Sequence, residues 1–169
     1  MPHLGLLFQT GCLVLLAGLL LAAAWQDLRT LRIGNELSLG IAALFGVWAV
    51  AGWLTGELSL LFLGVSVACA AGLFCAGAVA FASGMIGGGD VKFLAAVGLF
   101  AGPALVVDLL LVTALVGGVL GLAIMAGAPI GPVSSRGEAT LRNRLRTRVP
   151  YGPAIAVGGL WVALKLSLG

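Results

Sequence analysis

The chain has 169 residues, 61% of them apolar and 9% charged, with mean hydropathy +1.18 and formal net charge +3. Soluble domains run at about 45–50% apolar and about 25% charged, so an ordinary soluble globule is excluded and most of the surface must face lipid. Nine Lys and Arg residues are too few and too localised to serve a nucleic acid, and they read instead as basic loops on one side of a membrane.

Leu4 to Ala24 gives 21 residues without a charge, enough to cross about 30 Å of hydrocarbon. A cleaved signal peptide fits poorly. The apolar core is too long, no basic segment precedes it, and Trp25-Gln26-Asp27 is no small-residue cleavage site. This is helix 1. The segment from Trp25 to Glu36 follows, with Trp25 at an interfacial position and Arg29 and Arg32 marking a cytoplasmic loop. Asp27 stands at the mouth of helix 1. Taken alone, it reads as a solvated interfacial carboxylate near an arginine.

Leu37 to Leu54 is helix 2, closed by the uncharged-to-acidic turn Thr55-Gly56-Glu57. Leu58 to Ala82 is helix 3, rich in Gly and Ala, which allow close helix packing. Then Ser83 to Lys92 breaks the apolar run with Gly87, Gly88 and Gly89, the carboxylate of Asp90 and the ammonium of Lys92. An ionisable group so placed is costly and marks a functional site by default. The glycines let a peptide approach the backbone closely.

The 11 residues from Val91 to Ala101 rise only about 16 Å, too little to span a bilayer. Helix 4 must recruit the glycine segment or lie buried among its neighbours. Either way Asp90 sits at or just below the cytoplasmic surface. Gly102-Pro103 is a turn, and Ala104 to Ala126 is helix 5. Asp108, near its outer start, is a rival carboxylate, read here as a first-turn Asp favoured by the helix dipole. Ala128 to Val149 is a polar connection carrying Arg136, Arg142, Arg144, Arg146 and Arg148 against Glu138, for a net +4. Arginines beside a membrane bind anionic headgroups, at about 1 kcal/mol each. Pro150-Tyr151-Gly152-Pro153 opens helix 6, from Ala154 to about Leu168.

Eight of the nine Lys and Arg residues fall on one face of this layout and only Lys165 on the other. The asymmetry predicts an all-α membrane protein with six transmembrane helices in one domain, 1–169, both termini outside and the basic connections in the cytoplasm. Cys12, Cys69 and Cys75 lie inside apolar runs with no paired spacing and no His nearby, so they read as small buried hydrophobes and not as a zinc site. No metal or cofactor is expected.

The same layout brings Asp27 and Asp90 to one depth. Two carboxylates sharing a site hold one proton between them. One can take a proton from water while the other gives one to the scissile carbonyl or leaving amine. That is amide hydrolysis without a metal or a covalent nucleophile.

Asp27, the run Gly87-Gly88-Gly89-Asp90-Val91-Lys92, Arg32-Ile33-Gly34-Asn35 and Pro150-Tyr151-Gly152-Pro153 together resemble the type IV prepilin peptidases over most of the chain. These are polytopic aspartyl proteases that clip the leader from pilin-like proteins. The resemblance implies that Asp27 and Asp90 are catalytic. It also implies that Gly87, Gly88, Gly89, Lys92 and Asn35 meet the substrate, a precursor with a short basic leader and an apolar helix cut at the cytoplasmic face of a bacterial inner membrane. It looks like the short form without the methyl-transferring domain, as in Flp/Tad-type pili. The family pattern has Pro before the Asn, where Gly34 stands here, and the departure bears on the shape of that loop.

Other readings are a proton- or cation-coupled transporter with Asp27 and Asp90 as relay, a presenilin-like protease, and a structural assembly subunit. The transporter wants carboxylates near the bilayer midplane. The presenilin-like family is longer and carries a Pro-Ala-Leu motif missing here. A structural subunit needs no facing aspartates. A phosphate loop is excluded, since Gly84 to Lys92 lacks a Gly-Lys-Ser/Thr ending.

Overall fold

A computed structural model of the protein describes residues 2–128 and 150–168, and every regular element among them is helical. The elements are α1 (Pro2–Thr30), α2 (Asn35–Leu54), α3 (Leu60–Ala82), α4 (Gly88–Met125) and α5 (Gly152–Leu168). The first four are long and apolar enough to cross a membrane. The last has 17 residues and rises about 26 Å, close to the hydrocarbon thickness. The basic connection expected over 128–149, with its five arginines, lies outside the described residues apart from Ala128.

Two expected helices are one element here. The run Gly88–Met125 has 38 residues and one non-helical position, Gly102 at φ 53° and ψ −165°. That left-handed backbone suits Gly, and Pro103 brings no N–H to continue the helical ladder. Unbroken, such a helix would be about 57 Å long. Yet Asp90 and Met125, at its two ends, line one cleft. α4 therefore doubles back at Gly102 into an inner arm, 88–101, and an outer arm, 103–125. The expected count of six separate helices gives way to five helical elements, with the turn at Gly102-Pro103 as the corner inside the fourth.

The inner arm is the centre of the bundle. Fourteen residues rise about 21 Å, short of a bilayer, so the arm is covered by other helices instead of lipid. α2, α3 and α5 all pack against α4, and Phe93, Val97 and Phe100 have no exposed surface. Phe100 meets Phe45 edge-on at 5.3 Å between ring centroids and Trp48 at 5.6 Å. In lipid, such packing and not transfer from water holds helices together. α5 approaches closely because Gly158 faces Leu109 and Thr113 while Gly159 faces Leu20 and Val97.

Helix ends moved relative to expectation. α1 runs on past Ala24 because no residue before Gly34 breaks a helix and Leu28 and Arg29 favour one. Asp27 is thus in its last turn and not in a loop. α1 stops at Leu31, which turns to φ 52°. α4 recruits Gly88 and Gly89, as one of the two expected alternatives required. Of the cysteines, Cys12 is buried, Cys69 half-buried and Cys75 exposed. The last corrects the buried reading, for a thiol is apolar enough to face lipid.

Candidate active site

The end of α1, the start of α4 and the start of α5 meet at one end of the bundle. Each contributes one part of the site. Asp27, 3% exposed, comes from the last turn of α1. Its Oδ2 accepts a hydrogen bond from the backbone N–H of Gly152 at 2.8 Å. That N–H opens α5 and has no partner within its own helix, so a carboxylate there satisfies the donor and suits the helix dipole. Gly152 is needed for the approach. A Cβ at that position would lie 2.6 Å from Asp27 Cβ and 2.8 Å from Oδ2.

Asp90 stands in the first turn of α4, after the extended residue Gly87 at φ −76° and ψ 145°. A carboxylate in a first turn is favoured by the same dipole. Its Oδ2 is 2.8 Å from where a Cβ on Gly87 would stand, so glycine there keeps the carboxylate's approach open. Asp27 and Asp90 line one cavity of about 200 Å³, with Phe81, Gly87, Gly88 and Tyr151 on its walls.

The other expected substrate residues divide. Gly87 and Gly88 line this cavity. Gly89 does not. It packs against the Ile33 backbone, where a Cβ would lie 3.0 Å from the carbonyl oxygen. Lys92 and Asn35 pair with each other, Nζ donating to Oδ1 at 2.9 Å, and line a separate cleft between α2, α3 and the inner arm of α4. Asp108 is half-buried on the outer arm and is not among the residues lining the cavity. It lies just past the Gly102 corner. That corner packs on Phe62 and Ser66 near the start of α3, whereas the cavity takes Phe81 from the other end of α3.

Tyr151 and Gly152 are site residues that the sequence reading did not assign. Their signal in the sequence is the motif Pro150-Tyr151-Gly152-Pro153, which carries part of the family resemblance without a site role attached to it. Gly34 resolves the departure from the family pattern. Its φ of −66° and ψ of 146° are the angles a proline takes, so the loop keeps the shape that a proline there would give. Its N–H donates to Gln26 Oε1 at 3.4 Å, a contact only a non-proline residue can make. Among the described residues, no group of three or more His, Cys, Asp or Glu side chains gathers to hold a metal.

A family model described as the type IV leader peptidase family matches residues 14–122, well over half of the chain. The chain belongs to the type IV leader peptidase family. No curated protein and no solved structure matches it. Membership makes the chain a peptidase, and its apolar helices make it a multi-pass membrane protein. The matched span includes Asp27 and Asp90. The Tyr151-Gly152 pair lies beyond it and reaches the cavity through the fold. As a leader peptidase the protein belongs to a family that acts on pilin precursors.

Proposed function

We propose that the protein removes the leader of pilin-like precursors by aspartate-catalysed hydrolysis at the cytoplasmic face of a bacterial inner membrane. The observation carrying this is the single cavity lined by both Asp27 and Asp90 at the junction of α1, α4 and α5. A scissile peptide admitted there meets two carboxylates sharing one proton. The ionised aspartate takes a proton from water, and the water oxygen attacks the scissile carbonyl carbon. The protonated one supplies a proton as the tetrahedral adduct collapses, so that the C–N bond breaks and a neutral amine leaves. The buried hydrogen bond from Gly152 to Asp27 supports this division by fixing one carboxylate while Asp90 stays half-exposed. Gly87 and Gly88 leave room for an extended peptide beside Asp90. The basic face formed by Arg29, Arg32 and Lys92 supports a cytoplasmic site, with both termini outside.

Co-expression with pilin-type precursors tests the reading. Loss of the leader, seen as a shift on a gel and confirmed by mass of the new N-terminus, is expected with the wild type. Precursors of the matching pilus type that stay intact in its presence would defeat it.

A further inference from the structure

A second cleft, of about 700 Å³, opens from the aspartate cavity, and Ile86, Asp90 and Tyr151 line both. Beyond them it runs between Leu94 on the inner arm of α4 and Leu110, Gly118, Gly121 and Met125 on the outer arm. Leu110 and Met125 are fifteen residues apart on one helical arm, so the cleft extends about 22 Å along it, most of the hydrocarbon depth.

Among the described residues, nothing packs against Gly118 or Gly121. A Cβ at either would meet no described atom within 4 Å. Each costs about 1 kcal/mol of helix propensity relative to alanine, and small residues in a membrane helix let a second helix come close. Other open glycines, such as Gly46 and Gly64, are not among the residues lining this cleft. A cleavable bond at Asp90 followed by an apolar helix needs an apolar path that begins at Asp90, and this cleft is continuous with it.

We propose that the cleft is the docking groove for the apolar helix of the precursor, which lies against Gly118 and Gly121 with its N-terminal end at Asp90. The proposal rests on the leader-peptidase reading. It goes further in assigning recognition to the apolar helix and to the outer arm of α4, and not to the polar leader alone.

The test uses full-length protein in liposomes with a full-length pilin-type precursor that the wild type cleaves. Gly121→Leu and Gly118→Leu add bulk to the groove from positions where a Cβ meets no described residue within 4 Å, and Gly46→Leu, equally open on α2, is the control. The groove variants should raise KM about tenfold or more with kcat much less affected, while the control cleaves as the wild type does. In parallel, a photo-crosslinking amino acid at position 121 of the Asp90→Asn protein should yield an adduct that maps to the precursor's apolar helix. Should a leucine variant fail to fold, the adduct decides alone. Groove variants that match the control, or adducts confined to lipid or to the leader, overturn the docking proposal while cleavage by the wild type keeps the peptidase reading intact. A wild type that leaves every precursor intact overturns that reading, and the docking proposal with it.

Discussion

Asp27 and Asp90 are held by different means, and the difference predicts how each responds to substitution. Asp27 is buried against the first N–H of α5, and an Asn there still accepts that bond through its amide oxygen. Asp90 begins a helix and is half-exposed. Asp27→Asn and Asp90→Asn should therefore leave insertion and thermal stability near wild type. Each should lower leader cleavage by about 100-fold or more, the usual scale of general acid–base catalysis. Asp108→Asn should keep most activity. Near-normal cleavage by either catalytic-site variant would end the aspartyl mechanism. Gly152→Ala makes a second case at this scale, since its methyl would overlap Asp27 at 2.6 Å. Overpacking of that kind costs about 1–3 kcal/mol, and the variant should lose both melting temperature and cleavage. The aspartates were legible in the sequence because carboxylates are rare in an apolar chain. The partner of Asp27 was not, because the bond spans 125 positions and glycine offers no side chain to mark it. Lys92 stands apart from the aspartate cavity for a helical reason. Two residues after Asp90 it points roughly 200° around α4, so neighbours in sequence face different clefts.

At the scale of the element, α4 decides the geometry of the site. Its corner sets the outer arm beside the inner one and thereby forms the cleft that starts at Asp90. The corner depends on Gly102, both for its positive φ and for space, since a Cβ would lie 2.7 Å from Ser66 Oγ. Gly102→Ala should cost about 1–3 kcal/mol, the range for a non-glycine residue forced into such a conformation. A fall in the thermal midpoint of purified protein in detergent would show it, against no fall for Gly46→Ala, whose methyl meets no described residue within 4 Å and which gains helix propensity. An unchanged midpoint for Gly102→Ala would mean that Pro103 alone makes the corner. The break itself was legible as Gly-Pro after an apolar run too short to span. Its consequence was not. Continuity across the break depends on backbone angles at one residue, and hydropathy is blind to those. The start of α4 shows the same limit, for three glycines carry no periodicity to say which of them enter the helix.

Across the whole molecule, five connections alternate between the two ends of the bundle. The aspartate end collects the end of α1, the start of α2, the end of α3, both ends of α4 and the start of α5. Gln9 reaches Glu57 at the opposite end, where the Gly102 corner also lies. Arg29, Arg32 and Lys92 belong to the aspartate end, and Lys165, in the last turn of α5, to the other. This alternation was legible because each apolar run is bounded by charges or glycines. The packing order was not, because lipid-facing and buried surfaces are equally apolar here. Helix faces that touch lipid and faces that touch helices thus read alike. The proposed orientation in the membrane rests on the cations, which favour the cytoplasmic side. Arg32 and Lys165 are both exposed, so each can report on its own side. In protein with Cys12, Cys69 and Cys75 replaced by alanine, Arg32→Cys in spheroplasts should resist a membrane-impermeant maleimide until the membrane is permeabilised. Lys165→Cys should label at once. Labelling of Arg32→Cys from outside would put the aspartates on the wrong side for a precursor whose leader stays in the cytoplasm, and leader cleavage at that face would have to be abandoned even if both aspartates proved essential.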